Sequence, residues 1–199
     1  IVPAVKIPIS VDTMKYEVAR QALQAGAVIL NDQWGLHKEP RLADLAVQHN
    51  TPIILMSNQR GKGGYDAVAG RDTAAYADVM GEVITYLKTS LEIARAAGVG
   101  EENLIVDPGI GFGKTWQQDI EIIRRLGELK ILDKPILIGV SRKSLIKMVL
   151  NLPANERVEG TAATVALGIA HGADIVRVHD VKAMARVCKM ADAIVRGIS

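Results

Sequence analysis

Short β-branched and apolar runs alternate along the whole of this chain with longer stretches whose apolar residues recur at helical spacing. That rhythm is the signature of parallel strands joined by crossover helices, so the fold class is α/β. The spacing predicts strands at residues 7–12, 27–31, 52–56, 104–107, 135–140 and 174–178. Between them Met14, Val18, Ala22 and Leu23 share a helical face, as do Ile120, Ile123, Leu126 and Leu129, and then Val187, Ala191, Ile194 and Val195. Each such face needs a sheet to cover. Gly26, Gly98 and Gly172 stand where a helix ends in a left-handed residue before the next strand. An open doubly wound sheet and a closed TIM-type (β/α)8 barrel both produce this order. Roughly six βα units are visible where a barrel has about eight. On the barrel reading, about the first two units would precede Ile1.

The chain has 199 residues and 49% hydrophobic content, enough for one substantial core, so residues 1–199 are expected to form a single domain that is N-terminally incomplete. Lysine and arginine total 24 against 22 aspartates and glutamates. A net charge of +2 supplies no broad field to recruit nucleic acid or an anionic membrane, so anion chemistry must be local. The single cysteine, Cys188, excludes an intramolecular disulfide framework and lies in a helix-like stretch that suits a small buried hydrophobe. No apolar run approaches the ~18 residues of a membrane span, and the start lacks the pattern of a secretory signal. A cytoplasmic location is the expectation. Residues 58–73 are rich in glycine and charge and read as a long loop.

Nearly every expected strand ends in a residue that an apolar sheet core rejects: Asp12, Asn31 with Asp32, Ser57 with Asn58, Asp107, Ser141 with Lys143, and Arg177 with His179. In a β/α barrel these ends converge on one face. Carboxylates, amides and cations gathered there suit a ligand with a hydrogen-bonding heterocycle at one end and an anion at the other. Simpler roles stand beside this one. Asp12 precedes a helix and is accounted for equally by N-capping, and Asn31-Asp32 by a turn bonded to its own backbone. Alternation through residues 175–180 puts Arg177 and His179 on one strand face, opposite Val176 and Val178.

The strongest local signal is Asp107-Pro108-Gly109-Ile110-Gly111-Phe112-Gly113-Lys114-Thr115. A nucleotide P-loop needs four residues between its first glycine and Gly-Lys-Thr, a place held here by Pro108, and the three glycines also miss the dinucleotide-binding spacing. What remains is a turn that lets backbone approach a flat ligand closely. Ser141-Arg142-Lys143-Ser144 then places a basic pair just after a strand, with Lys143 a point-charge donor and Ser144 near a helix start. The chain carries no zinc-spaced Cys or His cluster and no thiol-nucleophile signature.

Residues 9–13 (ISVDT), 30–32 (LND), 107–115 (DPGIGFGKT), 139–143 (GVSRK) and 177–181 (RVHDV) together resemble the dihydropteroate synthases, in order and spacing, along the whole chain. The resemblance implies condensation of 7,8-dihydropterin-6-ylmethyl diphosphate with p-aminobenzoate, releasing pyrophosphate and forming 7,8-dihydropteroate for folate synthesis. It implies Asp12, Asp107 and Lys143 as catalytic residues and Asp12, Asn31, Asp107, Lys143 and Arg177 as pterin-binding residues. Arg177 and His179 would hold the diphosphate, and Phe112 and Ser144 the p-aminobenzoate. The resemblance further implies Mg2+ on the diphosphate, with no metal ligand within this chain, a homodimer, and an enzyme of the kind that is a sulfonamide target. Two features depart from the pattern: the family's asparagine-bearing first strand and its two mobile loops have no counterpart here, and Ser57 stands where many relatives have histidine. The alternatives are a pterin-binding methyltetrahydrofolate methyltransferase domain, which the diphosphate-suited cations SRKS and RVHDV disfavour, and a truncated pterin-binding protein without turnover.

Overall fold

The computed structural model describes residues 2–61, 65–66, 71–72 and 76–197. Its strands are β1 (Ser10–Asp12), β2 (Ile29–Asp32), β3 (Ile53–Met56), β4 (Tyr65–Asp66), β5 (Arg71–Asp72), β6 (Leu104–Asp107), β7 (Leu137–Ile138) and β8 (Ile175–Val176). The helices are α1 (Tyr16–Gln24), α2 (Leu42–His49), α3 (Val79–Ala96), α4 (Trp116–Arg124), α5 (Ser144–Leu150), α6 (Val158–Ala170) and α7 (Val181–Val195). All six expected strands are present. The expected loop at 58–73 lies partly outside the described residues; within its described part, β4 and β5 pair antiparallel.

The chain divides into two compact units, Ile1–Asn58 with Val83–Asp107, and Gln59–Glu82 with Pro108–Ser199. In the first, β1, β2, β3 and β6 hydrogen-bond in that order, every pair parallel. All four residues of β3 are buried, as a parallel strand covered on both faces requires, which explains the unbroken Ile53-Ile54-Leu55-Met56 run. Leu30, Leu45, Leu87, Leu91 and Val106 complete that core. In the second unit β7 pairs parallel with β8, and Ile123, Leu126, Leu129, Leu145 and Val165 are buried.

Several expected boundaries move. The first strand starts at Ser10 rather than residue 7, since Pro8 has no N–H for a ladder and Ile7 is 72% exposed. The second strand runs on to include Asp32. Residues 139–140 leave the ladder, although the Arg177 N–H still donates to the Ile138 carbonyl at 2.9 Å. Two helical faces also differ. Met14 precedes α1 and, with Val18, is exposed; Leu23 is buried as expected, joined one turn earlier by Ala19. On α7 the buried pair is Met184 and Ala191, while Ile194 and Val195 are exposed. Cys188 is half-buried on the same helix, and burial pushes its thiol up from the ordinary value. The three helix-ending glycines all take positive φ, as expected.

Candidate active site

The end of the parallel sheet gathers the first set of polar residues. Asp12 and Asn31 are register partners at the ends of β1 and β2. Asn31 and Asp32 have different roles. Asp32, 1% exposed, accepts from the N–H groups of Trp34 at 3.0 Å and Leu36 at 2.6 Å, so it is the residue that shapes the turn. Burial pushes its carboxyl up from the ordinary range, against the opposing pull of those two donors. Asn31 lies beside it, 8% exposed, and its Oδ1 has no hydrogen-bond partner among the described residues.

Asp12 is exposed and accepts from Gln33 Nε2 at 2.7 Å. Capping does not explain it: the residue before α1 is Lys15, which makes no side-chain cap, and the Lys15 N–H is taken by Thr13 Oγ1 at 3.1 Å. Gln33 is itself held through its carbonyl by Asn58 Nδ2 at 2.9 Å. Asp107 ends β6 opposite Met56, 6% exposed, and its carbonyl takes the N–H of fully buried Ser57 at 2.9 Å.

The glycine loop belongs to the second unit. Its lysine turns inward: Lys114 is fully buried and donates to the carbonyls of Gly109 at 3.0 Å and Phe112 at 3.2 Å, quite unlike a lysine presented to a nucleotide phosphate. Asp119 Oδ1 takes the Gly111 N–H at 2.8 Å, and the Gln59 N–H reaches the Phe112 carbonyl at 3.2 Å. Gly113, at φ +72°, has no room for a side chain, since a β-carbon would lie 2.1 Å from the Gln59 carbonyl carbon. Thr115 and Gln118 form a reciprocal capping box that starts α4 directly after the loop. Phe112 is half-exposed and meets two cations, with Arg60 Cζ 4.4 Å and Lys143 Nζ 4.8 Å from its ring centroid.

Lys143 Nζ also donates to the Ile110 carbonyl. A β-carbon built on Gly139 would sit 3.8 Å from Lys143 Nζ and 4.0 Å from Arg177 Cβ, so these two basic residues flank the same stretch of backbone. Ser144 is the first residue of α5. Arg177 and His179 follow β8 and are both exposed, while the alternate residues Val176 and Val178 are less so, which keeps the expected alternation. Ser141 Oγ accepts from the His179 N–H at 3.1 Å and lies 2.9 Å from His179 Nδ1. Arg142 makes a two-pronged pair with Asp180, at 3.0 and 2.5 Å, which holds the Asp180 carboxyl below its ordinary value.

Thus Asp12, Asn31 and Asp107 come together at one sheet end in the first unit, and Phe112, Lys143, Ser144, Arg177 and His179 belong to the second. The sequence reading did not single out Gln33, Arg60 or the inward turn of Lys114. Only the proximity of Gln33 to Asn31-Asp32 offered a signal. Among the described residues no group of three or more His, Cys, Asp or Glu side chains is placed to hold a metal ion.

Residues 1–179 match the profile described as pterin binding enzyme. The chain belongs to the pterin-binding enzyme family. Its similarity to curated dihydropteroate synthases is 47% identity over 96% of this chain for the Clostridium beijerinckii protein and 50% over 96% for that of Synechocystis. With the Bacillus subtilis protein it is 47% over 94%. The chain spans 66%, 64% and 62% of those three relatives in the same order. Among solved structures, the dihydropteroate synthase of Clostridium difficile, determined in the presence of pteroic acid, superposes with a TM-score of 0.89 at 42% identity, covering 98% of this chain and 70% of that one. The Xanthomonas albilineans synthase in complex with 7,8-dihydropteroate gives 0.88 at 32% identity, covering 100% and 70%. This likeness gives the pterin-binding chain the β/α-barrel class of α/β fold expected from its sequence.

Proposed function

We propose that this pterin-binding chain carries the substrate-holding residues of a dihydropteroate synthase. The reaction joins 7,8-dihydropterin-6-ylmethyl diphosphate to p-aminobenzoate. The observation that carries this reading is the buried amide of Asn31, whose Oδ1 lacks a partner among the described residues, set beside Asp12 at the same sheet end. A buried acceptor left open costs stability, so it points to a donor that arrives with a ligand. The aminopyrimidinone edge of a pterin offers such donors. On this reading Asn31 and Asp107 hydrogen-bond that edge and Lys143 donates to the pterin. Phe112 and Ser144 contact p-aminobenzoate, and Arg177 and His179 receive the diphosphate.

In the proposed step the bond between the exocyclic carbon and the diphosphate oxygen breaks, and the amine nitrogen of p-aminobenzoate bonds to that carbon and loses a proton. Pyrophosphate takes the electron pair of the broken bond. Positive charge grows on the pterin, where the Asp12 carboxylate opposes it, and negative charge grows on the leaving group, where Arg177 and His179 match it. Positioning of the amine supplies the rest, with no covalent enzyme intermediate. A Mg2+ ion brought with the diphosphate would add positive charge beside Arg177 and His179 and so help the leaving group depart. A homodimer and a cytoplasmic location are part of the same proposal; no helix among the described residues is long and apolar enough to cross a membrane.

The test is incubation of the protein with the dihydropterin diphosphate, labelled p-aminobenzoate and Mg2+, followed by measurement of dihydropteroate. Product supports the reading. Pterin binding without product refutes turnover by this chain and favours a pterin-binding role alone. Absence of pterin binding sinks both.

A further inference from the structure

Arg142 is the second residue of the Ser-Arg-Lys-Ser run, and its backbone is left-handed, with φ at +58°. A long side chain rarely adopts that conformation, and it persists where surrounding groups hold it. Here three groups do so. The Arg142 N–H donates to Thr161 Oγ1 at 3.1 Å, and the Arg142 carbonyl accepts from Arg157 Nη1 at 2.7 Å. The Arg142 guanidinium is held by Asp180. Thr161 is fully buried and Arg157 is 8% exposed, and both belong to the start of α6 and the residue before it. The two are linked in turn, because the Thr161 hydroxyl donates to the Arg157 carbonyl at 2.8 Å. Arg157 Nε also donates to the Leu152 carbonyl at 2.8 Å, which fixes its guanidinium in place.

The neighbours of Arg142 are the residues with chemistry to perform. Ser141 grips His179, and Lys143 precedes α5. A left-handed residue between them sets the direction in which both side chains leave the backbone. Asp180, held by Arg142, immediately follows His179, so the same arginine steadies both loops.

We propose that Arg157 and Thr161 are positioning residues that hold Arg142 left-handed and so present Lys143 and His179 for substrate. Neither touches substrate; each acts through the backbone of Arg142. The inference rests on the diphosphate role assigned to His179 above.

The experiment pairs Thr161→Val, which keeps the shape and removes the hydroxyl, with Thr161→Ser, which restores it. Two readouts are taken: the affinity for inorganic pyrophosphate by calorimetry, and the ring-nitrogen resonances of His179, which is one of four histidines in the chain. Thr161→Val is expected to weaken pyrophosphate binding roughly tenfold and to shift the His179 resonances while leaving those of His171 in place. Thr161→Ser should return both readouts to the wild-type values. Because glycine enters the left-handed region without support, Thr161→Val should cost less in an Arg142→Gly background than alone. Strictly additive effects of the two substitutions, or unmoved His179 resonances with affinity within about twofold of wild type, overturn the inference. If wild-type protein binds pyrophosphate and shows this coupling yet makes no dihydropteroate, the proposed turnover fails while the positioning role stands.

Discussion

Gln33 Nε2 donates to Asp12 Oδ1 across 2.7 Å, and the Gln33 backbone is anchored in turn by Asn58. The carboxylate assigned to oppose charge on the pterin is therefore aimed by a residue from the neighbouring strand's turn. Gln33→Leu removes that donor from a solvent-facing position, where a hydrogen bond adds little stability. On the proposed function, dihydropteroate formation should fall roughly tenfold while the melting temperature stays within about 2 °C of wild type. Initial rates and a thermal melt check both parts.

Asn31 holds a buried acceptor with no partner among the described residues, so the ligand-free protein bears a cost of about 1–3 kcal/mol there. Asn31→Leu replaces it with an apolar group of similar length. Urea unfolding of the free variant should show stability equal to wild type or raised by about 1 kcal/mol, while pterin affinity drops at least tenfold, or roughly 1.4 kcal/mol. A variant that loses stability without losing pterin would remove Asn31 from the site.

Gly113→Ala places a carbon 2.1 Å from the Gln59 carbonyl carbon at a φ of +72°. This contact, like those with the Gln59 carbonyl oxygen and the Arg60 nitrogen, is with backbone, which has nowhere to yield, so the expected cost is about 2–4 kcal/mol by urea unfolding. Phe112 is adjacent in the chain, and the p-aminobenzoate contact proposed for it should weaken along with the fold.

Asp180 carries an acid sensitivity with a definite sign. Its hydrogen bonds from Arg142 depress its folded pKa below the ordinary aspartate value of 3.8. The stabilisation is therefore present above pH 3.8 and is lost as pH falls through the lower folded value. Asp180→Asn should be less stable than wild type at neutral pH, and the gap should close as the buffer is taken below pH 3.8. Chemical unfolding of the two proteins at pH 7 and pH 3 measures it, and a gap that holds constant refutes the pairing.

The β-branched runs made the parallel strands legible, because period and burial are local properties of a chain: residues 104–107 match β6 at both ends, and the buried run 53–56 reads as a strand without reference to anything else. The polar strand ends were legible for the same reason, since Asp12, Asn31 and Asp107 interrupt apolar sequence. Helical faces were less so. Val18 and Ile194 are as apolar as Leu23 and Ala191, and only the packing around α1 and α7 determines which of them is buried.

Sequence by itself determined the βα order, the family and the residue types of the candidate site. The tertiary structure alone decided what each of those residues is doing. Asp32 takes the turn and leaves Asn31 open, Lys114 folds onto its own loop, and Arg142 is held by partners 15 and 19 positions further along. The Asp32 and Lys114 bonds are local but depend on which acceptor or donor the fold leaves within reach, and those of Arg142 join distant stretches of chain; neither kind leaves a periodic trace in the sequence.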